Sequence, residues 1–344
     1  MLNPRYAFIS AFLKGEEPKT VTSEYIDKMM SAANLQDALA IIRETDIGSY
    51  LEELPVKTFN YLDECLWGYF AQRIRYVESF KFLPEEILEV SKTYVVKYDV
   101  VNIKSALQGI SGGKKVSMIP VGIIYNNGLL DELFNAENVD DIIQLLIKCK
   151  LGDYVPALEQ YKTDKNAKSK LLVEANLDRE YYKSILNMAK RIKDGPVLTQ
   201  AFGLVIDLTN LQIASRAIIE GIGPDAAEFI IAGGYRITDK AIKELLPLKM
   251  TDMPARLEDT QYQDIANEVS TNYDKTKNIT AVDEIIDKHK FRMLKEMLSP
   301  RVLSPLVMAW YLILKEVEVR NLRLVLKTIV DGVPVQEIKN YLVL

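Results

Sequence analysis

The chain reads as an all-α protein built from a repeated helical unit, and three observations lead there. Apolar residues recur at steps of three and four along most of its length, while strict apolar–polar alternation is nearly absent, which is the pattern of helices and not of half-buried strands. A short phrase (an acid, two residues, an asparagine, an aliphatic residue, a long polar residue) occurs three times at a spacing of about 110 residues: Asp99-Val-Val-Asn102-Ile103-Lys104, Asp207-Leu-Thr-Asn210-Leu211-Gln212 and Glu318-Val-Arg-Asn321-Leu322-Arg323. A second likeness aligns residues 34–50 with 138–154 without gaps, and a degenerate third copy surrounds Thr238 to Leu246. Recurrence on this scale marks a repeated structural unit, expected over residues 1–110, 111–220 and 221–344.

Helical spacing predicts elements at Ser23–Ala33, Leu35–Glu44, Leu54–Phe80, Pro84–Gln108, Val139–Lys150, Leu177–Lys193, Val197–Glu220, Asp225–Ala232, Asp239–Leu246 and Val282–Leu298. Asn34 and Asn138 stand where a side chain caps a short helix, with Asp37 and Asp141 in the first turn and Gly48 and Gly152 as stops. The C-terminal element starts at Ser304-Pro305, the N-cap and first-turn proline, and stops at Asp331-Gly332. Its roughly 27 residues make a rod of about 40 Å. Pro334 then opens a short helix that turns Val335, Ile338, Leu342 and Val343 inward. Residues 116–125 contain Pro120 and have no partner run, so they read as a buried connector. Residues 109–115, 163–169 and 271–279 are the softest stretches.

On a helix, each asparagine interrupts an apolar seam: Tyr94, Tyr98, Asn102 and Ala106; Phe202, Ile206, Asn210, Ile213 and Ala217; Trp310, Ile313, Val317, Asn321 and Leu324. The acid lies one turn earlier on nearly the same face. A polar pair on a buried seam must find hydrogen bonds or cost a few kcal/mol. Asp99, Asn102, Asp207, Asn210, Glu318, Asn321 and Arg323 are therefore the candidate residues, either fixing register between helices, as a buried Asn does in coiled coils, or lining a shared central surface. The long polar position departs in the second copy, where Gln212 stands in place of Lys104 and Arg323, so any role of that basic residue is not shared by all three repeats.

Composition excludes several classes. With 344 residues, 48% hydrophobic and 26% charged, the chain can bury a large core. Lys+Arg number 43 against 48 Asp+Glu, a net charge of −5, which disfavours nucleic acid or an anionic membrane as main partner. Cys65 and Cys149 have no metal-ligand spacing and fit a reducing compartment. No signal peptide is read at the N-terminus, and the apolar stretch Val302 to Leu314 is too short to span a bilayer. His289 sits in a charged run that reads as a solvated helix face. The run from Gly109 to Lys114 is one residue short of a phosphate loop and follows a helix. Asp140-Asp141 superficially matches the aspartate-rich motif of all-α prenyl-transferring enzymes, but helix-dipole complementarity explains it better. No cofactor or metal motif stands out, and a non-enzyme is expected.

The first phrase in its setting, Tyr98-Asp99-Val-Val-Asn102-Ile103-Lys104-Ser-Ala-Leu107-Gln-Gly109, resembles the motif of the C subunit of archaeal-type and bacterial V-type rotary ATPases, known as the d subunit in eukaryotes. The run from Glu316 through Asn321 and Arg323 to Lys327, followed by Gly332-Val-Pro334 and Ile338, is similar to that family's C-terminus, and the stretch from Arg5 to Phe12 fits its first helix. The resemblance covers essentially the whole chain. It implies a funnel-shaped all-α subunit with pseudo-three-fold symmetry and no active site. That subunit would sit at the inner face of the membrane between the central rotor shaft and the membrane rotor ring, passing torque in ATP-coupled transport of Na⁺ or H⁺. The competing readings are a general helical-repeat scaffold and a metal-dependent all-α enzyme using Asp140 and Asp141.

Overall fold

A computed structural model of the chain describes residues 4–54, 58–112, 117–163, 167–333 and 338–343. Among them all regular structure is helical. The α-helices are, in order, α1 (Ala7–Glu16), α2 (Ser23–Met29), α3 (Leu35–Ile41), α4 (Asp46–Glu52), α5 (Phe59–Glu78), α6 (Glu85–Gly112), α7 (Ile123–Asn126), α8 (Leu130–Phe134), α9 (Val139–Lys148), α10 (Val155–Thr163), α11 (Ala167–Ala189), α12 (Gly195–Ile219), α13 (Asp239–Leu245), α14 (Met253–Arg256), α15 (Gln263–Thr276), α16 (Ile279–Leu298) and α17 (Leu306–Asp331).

Side-chain caps set many of the starts. Asn34 accepts the amide of Asp37 and Asn138 that of Asp141, whose carboxylate reaches back to complete a capping box. Thr45, Thr58, Thr238 and Asn278 cap α4, α5, α13 and α16 in the same way. Gly332 ends α17 in the left-handed region, φ +66°, as its sequence predicts. Gly48 does not stop a helix as expected. It lies inside α4, so close to the carbonyl of Ile42 that a Cβ there would sit 1.8 Å from the oxygen.

Several boundaries move. Helix α6 continues four residues beyond Gln108 to Gly112, α11 begins at Ala167 and not Leu177, and residues 223–229 form a 3₁₀ turn where an α-helix was expected. Helix α15 occupies part of a stretch expected to be soft. The expected inward positions Ile338, Leu342 and Val343 are buried, whereas Pro334 and Val335 lie outside the described residues.

The long helices pack in a cyclic order. Helix α6 packs against α11, α11 against α12, α12 against α16, α16 against α17, and α17 against both α5 and α6. One apolar cluster fills the space among α1 to α12, α17 and the C-terminal half of α16, and a second lies beneath α12 to α16, so α12, like α16, serves both. That explains its composition. Helix α12 is long and apolar enough, by length and composition, to cross a membrane. It is buried on several sides, however, from Leu198 and Phe202 to Leu208, Leu211 and Ala217, and a helix surrounded by protein is apolar all round.

Candidate functional site

Each asparagine of the phrase grips the main chain of one residue further along. The Asn102 side chain donates to the carbonyl of Ile119 and accepts its amide, both at 2.8 Å. Asn210 holds Ile231 at 2.7 and 2.8 Å, and Asn321 holds Val343 at 2.6 and 3.1 Å. An amide side chain suits this job because it donates and accepts side by side. The clasped residues follow their asparagines by 17, 21 and 22 positions.

The acids catch amides at the edge of a group of short helices. Asp99 accepts from Ile123 and Ile124 at 2.8 and 2.9 Å, at the start of α7. Asp207 accepts from Tyr235 and Arg236 at 3.1 and 2.7 Å, and from the Tyr262 hydroxyl at 2.7 Å. Glu318 accepts the amide of Val21 at 2.6 Å, just before α2. Two glycines leave room: a Cβ on Gly122 would lie 2.4 Å from an Asp99 oxygen, and one on Gly234 would lie 2.1 Å from an Asp207 oxygen. Gly122 also holds φ +117°.

Burial works against the charge on all three acids. It pushes the Asp99 carboxyl up to about 7, against the pull of its two backbone amides. Asp207 is raised by burial, opposed by the Arg236 amide and the Tyr262 hydroxyl. Glu318 is also raised by burial, opposed by the ammonium of Lys315 at 2.9 Å. Lys315 is itself fully buried and donates to the Tyr69 hydroxyl at 2.9 Å.

The long polar position reaches an aspartate on another long helix in all three copies, but it supplies the cation only in the first and third, in keeping with Gln212 in the second. Lys104 pairs with Asp178 on α11, and Arg323 forks onto Asp63 on α5, with Nη2 to Oδ2 at 3.0 Å. Gln212 donates its amide to Asp283 on α16 at 2.5 Å, and the cation lost there is supplied one turn later by Arg216, whose Nε lies 3.0 Å from Asp283. Each phrase helix is thereby tied to a second long helix: α6 to α11, α12 to α16, α17 to α5. The aspartates at these junctions carry no sequence signal of their own.

A cavity of about 280 Å³ opens among α6, α11, α12, α16 and α17. None of the seven residues singled out from the sequence is among its lining side chains. Its walls carry instead Lys97, Asp178, Asp287, Lys290, Glu316 and Arg320 amid aromatic and aliphatic groups. These charges are paired: Lys97 and the Tyr94 hydroxyl contact Glu316, Arg320 lies 2.7 Å from Asp287, and Lys290 lies 3.6 Å from the same carboxylate. Sequence reasoning passed over them, although counting back two residues from each acid of the phrase reaches Lys97, Val205 and Glu316, all cavity-lining.

The residues weighed for catalysis have structural partners. Asp141 accepts the amides of Glu137 and Asn138, and Asp140 pairs with Lys162 at 2.6 Å. His289 is half-buried rather than fully solvated and bridges Glu268 and Arg292 at 2.8 and 2.7 Å. Gly109 to Gly112 are helical, and Gly113 and Lys114 lie outside the described residues. Among the described residues no group of three or more His, Cys, Asp or Glu is placed to hold a metal ion.

Helices clasped to their own loops, tied to one another by paired side chains and set around a cavity whose charges are matched, make an all-helical body stitched together by its side chains. The chain belongs to the family described as ATP synthase (C/AC39) subunit, whose profile matches residues 9–341. Its relatives include several archaeal proteins, each named as the C subunit of an A-type ATP synthase. That of Methanocaldococcus jannaschii is 23% identical over 98% of this chain and 86% of its own length. That of Thermococcus kodakarensis is 23% identical over 98% and 90%, and that of Methanococcoides burtonii 24% identical over 98% and 94%. The chain is thus a non-catalytic subunit of a rotary ATPase complex.

Proposed function

We propose that this subunit is the adaptor of the central stalk: a three-part collar, one part from each repeat, that receives the tip of the rotor shaft and rests on the membrane rotor ring. It transmits torque between the ATP-hydrolysing head and a ring that carries Na⁺ or H⁺, and it sits peripherally at the inner face of the membrane. In this reading Asp99, Asn102, Asp207, Asn210, Glu318, Asn321 and Arg323 register the repeats rather than line the socket.

The observation that carries the reading is the cyclic set of ties. The links from Lys104 to Asp178, from Gln212 to Asp283 and from Arg323 to Asp63 run from first part to second, second to third and third back to first. A closed ring resists shear between its parts better than an open stack, since no part moves without breaking two junctions. Torque transfer needs that stiffness. In this reading the shaft tip rests over the mouth of the cavity bounded by helices of all three parts, without entering it.

The test is co-purification. The tagged chain, expressed with the shaft and ring proteins of its own complex, is expected to retain both after mild dissociation of the head. Capture of neither at moderate ionic strength contradicts the proposal, and capture of unrelated partners alone favours a general scaffold.

A further inference from the structure

The seam where α17 packs on α1 and α5, with α4 alongside α5, encloses a cluster of ionisable side chains. Glu16 at the end of α1, Asp46 at the start of α4 and Glu318 on α17 bring three carboxyls to it, while Arg73 on α5 and Lys315 on α17 bring two cations. Lys315 donates to Glu318 and to the Tyr69 hydroxyl, both at 2.9 Å. Arg73 contacts Glu16 and lies 3.4 Å from the Tyr311 hydroxyl. From the rim, exposed Lys19 reaches Glu16 at 3.0 Å. The neighbouring acid Glu17 is taken by Lys14 and the Trp310 indole at 2.7 and 3.0 Å, and Asp37 of α3 is engaged with Asn34 at its own helix start. Asp46 is left over. Its Oδ2 is closed off from solvent with no donor, and the side chain that meets the Asp46 carboxyl in hydrogen-bonding contact is another carboxyl, that of Glu16.

Two carboxylates offer each other only acceptors, so a contact of this kind holds when a proton lies in it. One proton there also brings the charge enclosed with Arg73 and Lys315 to zero. We infer that Glu16 and Asp46 hold a single proton between them, and that this proton is a pH-sensitive latch on the seam between the first helices of the chain and its last long one. With the proton in place Asp46 donates to Glu16, and Arg73 carries the joint from Glu16 across α5 to Tyr311 on α17. Without it, two carboxylates face each other out of water, and the repulsion is relieved by moving α4 away from the end of α1. Burial, and then the contact with Glu16, raise the Asp46 carboxyl above its ordinary value of 3.8. Glu16 is held below the ordinary range, because Lys19 and Arg73 outweigh its own burial. The proton therefore resides on Asp46. Its contribution is fully present below the ordinary aspartate value and is lost as pH rises through the raised one. Glu16 acts in the opposite sense, losing its ion pairs as pH falls through its lowered value, so the seam is tightest between the two.

The experiment reads the proton and the seam separately on the full-length chain. Asp46→Asn replaces the protonated acid by an amide of the same shape that donates at every pH. Infrared difference spectra of wild type against this variant are expected to show the carbonyl stretch of a protonated carboxylic acid at a pH where an ordinary aspartate is ionised, and to lose it as the pH is raised further. Hydrogen exchange, corrected for its intrinsic dependence on pH, is expected to show the protection of the α4 amides falling about threefold or more over the same rise in wild type and staying level in Asp46→Asn. The amides of α13, which packs in the other apolar cluster, are the control and stay level in both. Glu16→Gln sets the fixed donor on the other side of the contact; it is expected to lower α4 protection overall and to remove the same pH dependence. Either variant decides the question if the other fails to fold. Absence of the difference band at every pH overturns the shared proton. A band with no pH-dependent change in α4 overturns the latch, and protection that falls with pH equally in wild type and variants overturns its assignment to this pair.

Discussion

Gln212 and Asp283 are joined by a hydrogen bond from α12 to α16, and the same Gln212 side chain accepts from Lys290 at 3.1 Å. An amide performs both tasks, whereas a lysine or arginine offers no acceptor for Lys290, which accounts for this copy's departure from the other two. Lys290 is deeply set, and burial holds its pKa below the ordinary lysine range. Gln212→Lys, although it matches the first copy, is therefore expected to destabilise by about 1 kcal/mol, because Lys290 loses its acceptor and gains a like charge. Chemical denaturation reads the change; a variant as stable as wild type contradicts the account.

The asparagine clasps are expected to cost more. Asn210→Ala leaves the buried amide and carbonyl of Ile231 without a partner, for a loss of about 2–4 kcal/mol. Asn210→Asp is expected to be at least as harmful, since a carboxylate cannot donate to the Ile231 carbonyl. Urea unfolding of both variants checks the order, and an alanine variant within about 0.5 kcal/mol of wild type refutes it.

Gly122 and Gly234 are predicted to reject alanine. At each, the new methyl group collides with the carboxylate that organises the loop, and at Gly122 the positive φ adds backbone strain. Losses of about 2 kcal/mol or more are expected at both. Gly152, with nothing near its missing Cβ and no positive φ, serves as the control and is expected to change little. Thermal melts of the three variants distinguish them.

The Asp99 carboxyl makes stability depend on pH. Its ordinary value is 3.8 and its folded value about 7, so between those limits the folded state holds more protons than the unfolded one. Its contribution is fully present below about pH 4 and is lost as pH rises through 7. The stability of wild type relative to Asp99→Asn is therefore expected to fall between pH 5 and pH 8, by an amount on the order of a few kcal/mol. A pH-independent difference between the two proteins sinks this assignment.

The helices and the recurring phrase were legible in the sequence because both are written in local spacing. The caps at Asn34 and Asn138 were legible for the same reason: each acts on an amide three residues away. The partners of Asn102, Asn210 and Asn321 were not, since each lies 17 to 22 residues further on, past the end of the helix that carries the asparagine. Helices α7 and α8, of four and five residues, are too short to show a period. Helix α15 is polar enough to resemble a loop, with Ile265, Ala266 and Val269 as its buried contacts. The cavity residues were hidden by type: Lys97 and Glu316 look like solvated charges until α6 and α17 are brought together.

The contact between Val21 and Glu318 joins residues 297 positions apart. During synthesis, helices α5 and α6 leave the ribosome well before α17 exists to cover the faces they will turn toward it. The gap from Gly112 to Leu306 takes roughly 10–40 s to translate at ordinary rates. Through that interval the nascent chain is an open arc with an apolar seam in water, exposed to self-association. A chaperone that shields residues 59–112 until the final long helix arrives would raise the yield of closed rings without altering the stability of the finished protein.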